Sequence, residues 1–242
     1  MSQGISVWVL EAPHGFGDAA FHSHHAIQIT ASLAGDLMLS TADRTLRAPV
    51  LAVAADERHR FEAHGLLAFT FVEPESQMGR ALTATLFESS PLTRLDPSGI
   101  EPLLRPLAAT FDAALDNETL LRIGRAIVER VAPGTQGRLP DHRVQKIIDY
   151  AAAHLDEPLS LEIASRDIYL SPSRLRHLFV EQTGLAFKTY VLWLRLVRAV
   201  QAYSEGSNLT EAAHAAGFSD SAHFSRIFRR TFGLPATTLT RI

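Results

Sequence analysis

The sequence predicts an α+β protein in which an amino-terminal β-barrel precedes an all-α domain with two helix-turn-helix units. The first third of the chain alternates apolar and polar residues with a period of two, which is typical of half-buried strands. The stretch from Leu159 to Pro235 instead carries one helical pattern twice. A segment rich in Gly and Pro, residues 132–140, separates the two parts and has no periodicity.

The β region is expected to consist of short strands that end near residue 73. Gly, Asp and Pro separate these strands, a spacing that favours a barrel or a sandwich. The predicted strands are Ser6–Leu10, Ala26–Thr30, Leu37–Ser40, Thr45–Arg47, Val50–Val53 and Leu66–Val72.

Histidines are concentrated in this β region. His22 and His24 point to the same face of a strand because they are two residues apart, and Gln28 shares that face. His59 could complete the set from a later strand. Three imidazoles and an amide suit a divalent transition metal such as zinc, nickel or iron. The alternative is that these side chains line a pocket or bind backbone groups without a metal, so no cofactor is assigned.

The same residues resemble the first cupin motif, in which two His, an acid and a Gly follow at fixed spacing. Gln28 stands where that motif usually has Glu, and Gly35 matches its glycine. The second cupin motif is thinner: His59 matches, whereas Asp56 and Ala63 replace the usual Gly and Asn. The resemblance implies a cupin-like sensor domain.

Helices are expected after the strands. A short one leaves the barrel within residues 73–87, and two more span 102–115 and 118–131, the first containing Pro106. Their apolar stripes could pack on the barrel, on a partner subunit, or on both. The expected division is 1–90 for the sensor domain, 91–131 for a helical connecting or dimerisation segment, 132–140 for the linker and 141–242 for the second domain.

The repeated pattern predicts two helix-turn-helix units in fixed register. A shift of 49 residues superimposes Ala164 on Ala213, Leu175 on Phe224, Leu178 on Ile227, Phe179 on Phe228 and Gly184 on Gly233. At about 100° per residue, these apolar residues form the buried stripe of each second helix. The outward residues are then Ser173, Arg176, His177 and Val180 in the first unit, and Ala222, Arg226 and Arg229 in the second.

An apolar stretch, residues 187–203, joins the two units and predicts a stiff helix. A helix of that length spans about 25 Å. It could hold two recognition helices about one DNA turn, roughly 34 Å, apart.

From His142 onward the chain resembles AraC/XylS-type transcription regulators. The signature lies in residues 204–233, which end in the run Gly217-Phe-Ser-Asp-Ser-Ala-His-Phe-Ser-Arg-Ile-Phe-Arg-Arg-Thr-Phe-Gly233. The resemblance implies a seven-helix DNA-binding domain. It places base-reading residues at Ser173, Arg176, His177, Ser221, Ala222 and Arg226. Pro235 comes earlier than the family pattern has it, so the last helix is expected to be short.

The expected DNA-contacting residues extend these base-reading positions by neighbouring basic and polar side chains. Lys188, near the start of the joining helix, is expected to contact phosphate. For Arg226 the alternative is a solvated charge, for His177 a rim or phosphate contact, and for His223 a structural role in the turn. The full set is Ser173, Arg174, Arg176, His177, Lys188, Ser221, Ala222, His223, Arg226 and Arg230.

Composition limits the class of protein. The 242 residues suit two modest domains, and a hydrophobic content of 46% is enough for packed cores. The chain has no cysteine, which excludes disulfides and thiol chemistry. The net charge of -3 is carried by the first part, because residues 140–242 hold 12 Lys and Arg against 10 Asp and Glu. The amino terminus has neither signal-peptide nor anchor features, so a cytoplasmic protein without a membrane partner is expected.

The function expected from the sequence is a sequence-specific DNA-binding transcription regulator controlled by a small ligand or metal in the barrel. Its expected partners are double-stranded DNA, the effector, a second copy of the chain in a homodimer, and RNA polymerase. No phosphate-binding loop or nucleophile elbow is present in the sequence, so no catalytic residue is assigned and an enzyme is not expected. The alternatives are a metal-dependent cupin enzyme fused to a DNA-binding module, and a barrel that only dimerises.

Overall fold

The computed structural model describes residues 4–12, 20–33, 35, 37–109, 117–134 and 141–238. The chain forms two compact units. One comprises residues 138–227, and the other comprises residues 2–137 together with 228–240. Most of the predicted linker, residues 135–140, lies outside the described residues. None of the helices in the described part of the chain combines the length and the hydropathy that crossing a membrane requires.

The first part of the chain forms two antiparallel sheets. One has five strands in the order β1-β7-β2-β5-β8, and the other has three in the order β4-β3-β6. The central strand β2 pairs with β7 and β5, so Thr30 lies opposite Phe69 on one side and Leu51 on the other. The strands are β1 Ile5–Ala12, β2 Ile27–Ser32, β3 Leu37–Ser40, β4 Thr45–Ala48, β5 Val50–Val53, β6 Arg60–Glu62, β7 Gly65–Val72 and β8 Leu92–Arg94.

The predicted α+β class is confirmed, and all six predicted strands form. The sequence did not indicate β6 and β8, because each has three residues, too few to show a period of two. The likeness of the two sheets to a cupin barrel stays a prediction.

Helices α1, α2 and α3 span Gln77–Leu86, Glu101–Ala109 and Asn117–Val131. Pro106 lies inside α2, and the predicted continuation of this helix to residue 115 lies outside the described residues. The apolar face of α3 is buried through Ile123, Ile127 and Val128. Gly124 on that face lies so close to β1 that a Cβ there would meet the side chain of Val7 at 2.6 Å. This apolar stripe therefore packs inside its own subunit.

Residues 228–238 belong to the same unit as the sheets. Phe232 is buried, and its ring centroid lies 4.9 Å from that of Trp8 on β1 and 5.6 Å from that of Phe71 on β7. The backbone N–H of Ala20 donates to the carbonyl oxygen of Gly233 at 3.3 Å. This segment, called here the carboxyl-terminal segment, therefore completes the aromatic core of the β unit.

The helical unit, residues 138–227, contains the helices of the repeated pattern as far as Ile227 in the last of them. Helices α4 to α9 span His142–Ala153, Leu161–Ala164, Pro172–Thr183, Phe187–Ser204, Leu209–Ala215 and Ser221–Phe232. Capping residues fix the helix starts as the sequence suggests: Asp141, Ser160 and Ser171 each accept a backbone N–H. Asn208 and Glu211 form a capping box at α8.

The core of this unit forms around α7, the predicted joining helix. Tyr190 and Trp193 on α7 are buried, and the ring of Phe179 from α6 packs edge-on against Tyr190 at 5.5 Å. Gly184 ends α6 in the left-handed conformation, with φ +78°, which a residue with a side chain adopts only under strain. Of the predicted buried stripe, Leu175 and Phe179 are buried, whereas Leu178 is half-buried.

Candidate nucleic-acid interface and a buried histidine cluster

Helix α6 presents the outer edge that the sequence predicts. Pro172 is the first residue of the helix and Ser171 caps its amino-terminal end. The first residues of the helix are exposed to solvent. Arg176 forms an exposed ion pair, in which its Nη2 lies 3.4 Å from Oε1 of Glu162 on α5. Exposed pairs of this kind contribute about 0–1 kcal/mol, so Arg176 can exchange Glu162 for another anion. The exposed predicted residues of this unit are Ser173, Arg174, Arg176, His177 and Lys188.

Helix α9 presents the second edge. Ala222, Arg226 and Arg230 are exposed, whereas Ser221 is half-buried. At the start of the helix, the backbone N–H of His223 donates to Oδ1 of Asp220 at 2.6 Å. Hydrogen bonds from this N–H and from Ser219 lower the pKa of Asp220, with a further contribution from the charge of Arg226.

His223 occupies a different place from the other predicted contacts on α9. Its ring packs edge-on against Phe218 at 5.4 Å, and its Nδ1 lies 3.3 Å from Oγ of Ser219. Both contacts join the helix to the preceding turn. This geometry supports the structural alternative for His223, and its contact with DNA stays a prediction.

Tyr169 was not among the residues singled out from the sequence. It lies in the turn before α6, and 99% of its surface is exposed. A fully exposed aromatic side chain beside the polar start of α6 can contact a molecule that binds to the outer edge of that helix. No sequence pattern indicates Tyr169, because a turn residue belongs to no periodic stripe.

Three histidines meet inside the β unit, and we call His22, His24 and His59 the histidine cluster. One ring nitrogen from each lies within 4.8 Å of the other two. An isolated antiparallel bridge brings them together: the backbone N–H of His22 donates to the carbonyl of His59 at 2.9 Å, and that of His59 returns the bond at 2.8 Å. All three side chains are buried, and His59 is 0% exposed.

Backbone carbonyls orient two of these rings. Nδ1 of His22 donates to the carbonyl of Ala20 at 2.8 Å, and Nδ1 of His59 donates to the carbonyl of Glu57 at 2.8 Å. In a neutral imidazole the second nitrogen then carries a lone pair and no proton. Nε2 of His22 and Nε2 of His59 are therefore acceptors.

Gln28 lies beside the cluster, and its two polar atoms are both engaged. Its Oε1 accepts from Nε2 of His24 at 2.9 Å, and its Nε2 donates to Oγ1 of Thr30 at 2.7 Å. An amide oxygen can only accept, so the proton of a neutral His24 is on Nε2 and Nδ1 carries the lone pair. The structure thus brings together all four predicted residues, with Gln28 bound to a histidine.

Burial keeps these imidazoles neutral. It lowers the pKa of His24 to about 3, with a smaller contribution from the neighbouring charge of His22. Burial, followed by the nearby His24 and His22, also lowers the pKa of His59, and burial lowers that of His22. Neutral imidazoles are the form that binds metal.

His25, next in the chain, has the opposite environment. Its Nε2 lies 3.0 Å from Oε2 of the buried Glu75, and its Nδ1 lies 3.4 Å from Oδ2 of Asp56. Burial alone would lower the pKa of His25, but hydrogen bonds to Asp56 and Glu75 outweigh it and raise the pKa to about 9. Two adjacent histidines are therefore divided into a charged one, which anchors the loop, and a neutral one, which faces the cluster.

Comparison with known proteins matches the repeated helices to a known type of domain. The family model described as a helix-turn-helix domain matches residues 164–242. An uncharacterised HTH-type transcriptional regulator, YpdC of Escherichia coli, is 30% identical over 147 residues, which cover 59% of this chain and 47% of that protein. The HTH-type transcriptional activator RhaR of Pectobacterium atrosepticum is 24% identical over 212 residues, covering 79% of this chain and 74% of its own.

A solved structure shares the fold over most of the chain. The crystal structure of ToxT from Vibrio cholerae O395, bound to (E)-4-(8-methylnaphthalen-1-yl)but-3-enoic acid, has a TM-score of 0.61 and 11% identity. The match covers 98% of this chain and 100% of ToxT. In sequence, however, the chain spans about half the length of YpdC. The matches confirm the predicted helix-turn-helix domain and the α+β fold.

Proposed function

We propose that this chain, whose carboxyl-terminal part is a helix-turn-helix domain of the AraC/XylS type, is a sequence-specific DNA-binding transcription regulator. The family model for a helix-turn-helix domain and the relatives named as HTH-type regulators support this proposal. The observation that carries the proposal is the exposed edge at the start of each second helix, on α6 and again on α9. The amino-terminal residues of such helices meet base edges in the major groove.

The exposed side chains divide by the contacts they can make. Arg226 and Arg176 can each bind guanine through two hydrogen bonds, and Ser173 suits either base of a pair. Lys188 and Arg230 supply charge for phosphates, which sets affinity and salt dependence but not sequence. Because the second part of the chain is only mildly basic, the affinity of one copy for DNA is moderate.

Moderate affinity makes pairing of two copies useful. A homodimer presents four reading helices to one operator, and its contact lies outside the apolar stripe of α3, which is buried inside its own unit. RNA polymerase is the further partner of a regulator that activates transcription. The protein acts in the cytoplasm, where its DNA is.

The β unit is the sensor of this regulator. An effector that binds it changes the DNA affinity only if it binds the DNA-competent form better or worse than the other. A carboxylic acid is one candidate class of effector, because the structurally similar ToxT has been crystallised with one. A metal ion is the other, and the histidine cluster favours it.

A metal-dependent enzyme tethered to a DNA-binding module is the second candidate function. The histidine cluster favours it, since three histidines with an open fourth position are also a catalytic zinc arrangement. The regulators among the relatives favour sensing instead. Substrate turnover that requires both the metal and His59 would establish the enzyme.

Replacement of Arg226 tests the DNA-reading function. Arg226→Ala should weaken binding to the selected operator by about 1–3 kcal/mol, or roughly 5–150-fold, and relax specificity at one base pair. Operators are first selected from random DNA with the full-length protein, and affinity is then measured by fluorescence anisotropy at fixed salt. Arg125→Ala, which removes an exposed arginine from α3, is the matched control and should bind normally. Equal binding by Arg226→Ala and the control contradicts the assignment.

A further inference from the structure

We propose that Glu162 is a positioning residue for DNA recognition, which holds the guanidinium of Arg176 so that its remaining N–H groups bind a guanine rather than a phosphate. Glu162 lies on α5 and Arg176 on α6, so their contact joins the two helices of the first helix-turn-helix unit. The inference rests on the proposed function, because it explains how one of the base-reading residues of that function selects its partner.

The carboxylate of Glu162 is held at the start of its own helix. Ser160 caps α5, and Glu162 lies in the first turn after this cap. The backbone N–H of Glu162 itself, then the hydroxyl of Ser160, then the guanidinium of Arg176 form hydrogen bonds that lower the pKa of Glu162. The carboxylate is therefore ionised at neutral pH, and its position is set before DNA is present.

The ion pair engages only part of the guanidinium. Nη2 of Arg176 lies 3.4 Å from Oε1 of Glu162, and both side chains are exposed. A guanidinium has five N–H donors, of which one carboxylate oxygen uses one. Two N–H groups are enough to bind O6 and N7 of a guanine. Arg176 can therefore keep its contact with Glu162 and read a guanine at the same time.

The charge of Glu162 favours a base over a phosphate as the partner of Arg176. Phosphate contacts increase the salt dependence of binding and carry no sequence information. A phosphate that binds Arg176 must displace the carboxylate or lie close to it, and like charges repel. The edge of a guanine is uncharged and meets no such repulsion. Glu162 therefore lowers the affinity for unrelated DNA and raises the preference for one base.

The second helix-turn-helix unit has a serine in place of this arginine. A shift of 49 residues places Glu162 on Glu211 and Arg176 on Ser225. Glu211 accepts the backbone N–H of Asn208 at 2.8 Å, as part of the capping box of α8. The equivalent acid thus stabilises a helix start in the second unit and holds a reading arginine in the first. The effect of Glu162 should therefore be confined to the base that α6 reads.

Base preference tests the positioning. The selected operator is varied one base pair at a time, and the affinity of the full-length protein for each DNA is measured by fluorescence anisotropy at fixed salt. Glu162→Ala should reduce the preference for guanine at the base pair read by Arg176 by about 2–10-fold, because the arginine must then be ordered on binding. Glu181→Ala, which removes an exposed acid from α6, is the matched control and should keep the preference. Equal preferences in the two variants overturn the inference.

A double variant shows whether Glu162 acts through Arg176. Arg176→Ala identifies the base pair that this arginine reads, because the preference is lost there. In the Arg176→Ala background, Glu162→Ala should have no further effect on the preference at that base pair. A loss of similar size in both backgrounds overturns the inference, since Glu162 would then act without Arg176. A preference that Arg176→Ala leaves intact at every base pair also overturns it, because there is then no base contact to position.

Salt dependence tests the effect of the charge. The affinity for unrelated duplex DNA is measured at several salt concentrations with the parent protein, Glu162→Ala and Glu181→Ala. Arg176 should bind one more phosphate in Glu162→Ala, which makes the slope of log K against log salt steeper by about 0.9. The affinity at low salt should rise about 2–5-fold. Slopes that are equal in the two variants overturn the preference of Arg176 for a base over a phosphate.

Operator selection distinguishes this inference from the proposed function. A parent protein that selects no operator contradicts the proposed function itself. A parent protein whose operator binding depends on Arg226, but whose base preferences are unchanged by Glu162→Ala, overturns only the role of Glu162.

Discussion

An exposed tyrosine in the first helix-turn-helix unit has a buried counterpart in the second. Tyr169 stands in the turn before α6, while the equivalent position in the second unit, one 49-residue shift later, is the buried Phe218. An aromatic ring that is fully exposed to solvent contributes no hydrophobic stabilisation to the fold, so its role lies in the molecule that it contacts. Tyrosine hydroxyls commonly donate to phosphate oxygens in DNA complexes.

Tyr169→Ala should therefore weaken binding to the operator and to unrelated DNA by a similar factor. The expected loss is about 1 kcal/mol, or roughly fivefold, because one hydrogen bond to a charged oxygen disappears. Tyr169→Phe should show most of the loss. Anisotropy titrations on both DNAs measure it, with Val180→Ala, an exposed apolar residue of the same unit, as control. A loss confined to the operator would mean that Tyr169 contacts a base instead.

The sequence pattern indicates the histidine cluster but not the role of each of its members. The two-residue spacing of His22 and His24 indicates a shared face, and Gln28 falls on the same face. The bridge that adds His59 joins residues 37 positions apart, and no local pattern predicts a pairing over that distance. The sequence does not show that the Gln28 side chain binds His24 and Thr30, because these hydrogen bonds depend on its side-chain conformation.

Secondary structure elements with several repeats of their period were predictable. The strands β3 and β5 have the predicted bounds, and α7 forms where an apolar run is too long for a loop. The shortest strands were missed because three residues carry no period. The sequence does not identify the packing partner of α3. An amphipathic stripe shows that one face of a helix is buried, but it does not show which surface covers that face.

Gly124 tests the packing of α3 against β1. Gly124→Val should lower the free energy of unfolding of the β unit by about 1–3 kcal/mol, because the new side chain must displace Ile5 and Val7. Urea unfolding is followed by fluorescence in a Trp193→Phe background, where Trp8 is the remaining tryptophan and reports on β1. Ala126→Val, half-buried on the same helix, is the control. Unchanged stability would place the apolar stripe of α3 against another surface.

At the scale of the whole molecule, α9 belongs to both compact units. Residues up to Ile227 are grouped with the other helices, and Phe228 onward with the sheets. The sequence could not indicate this division, because the family pattern continues through Phe232 and Gly233 without a break. The periodicity of the sequence shows that α9 is one helix. It does not show that the two ends of α9 are buried in different hydrophobic cores.

Gly233→Ala should destabilise the β unit more than a glycine substitution in open space. Gly206 and Gly233 both have positive φ, +105° and +71°, so alanine costs about 1 kcal/mol or more at either position. A Cβ at 233 also meets His22 and the carbonyl of Ala20, whereas one at 206 meets nothing within 4 Å. The additional loss at 233 should be about 1–3 kcal/mol. Urea unfolding measures both losses, with Trp8 as the remaining tryptophan in a Trp193→Phe background for position 233 and Trp193 as the remaining one in a Trp8→Phe background for position 206. Equal losses would show that the contact is not formed.

The placement of the carboxyl-terminal segment has a consequence for chimaeric proteins. Exchange of the DNA-binding part for that of another regulator is usually planned at a linker such as residues 132–140. Such a graft would also replace Phe228 and Phe232, and foreign side chains would then face Trp8 and Phe71. A chimaera that keeps the native residues from 228 onward preserves the aromatic core. Such a chimaera therefore needs two junctions, one before and one after the helices taken from the other regulator.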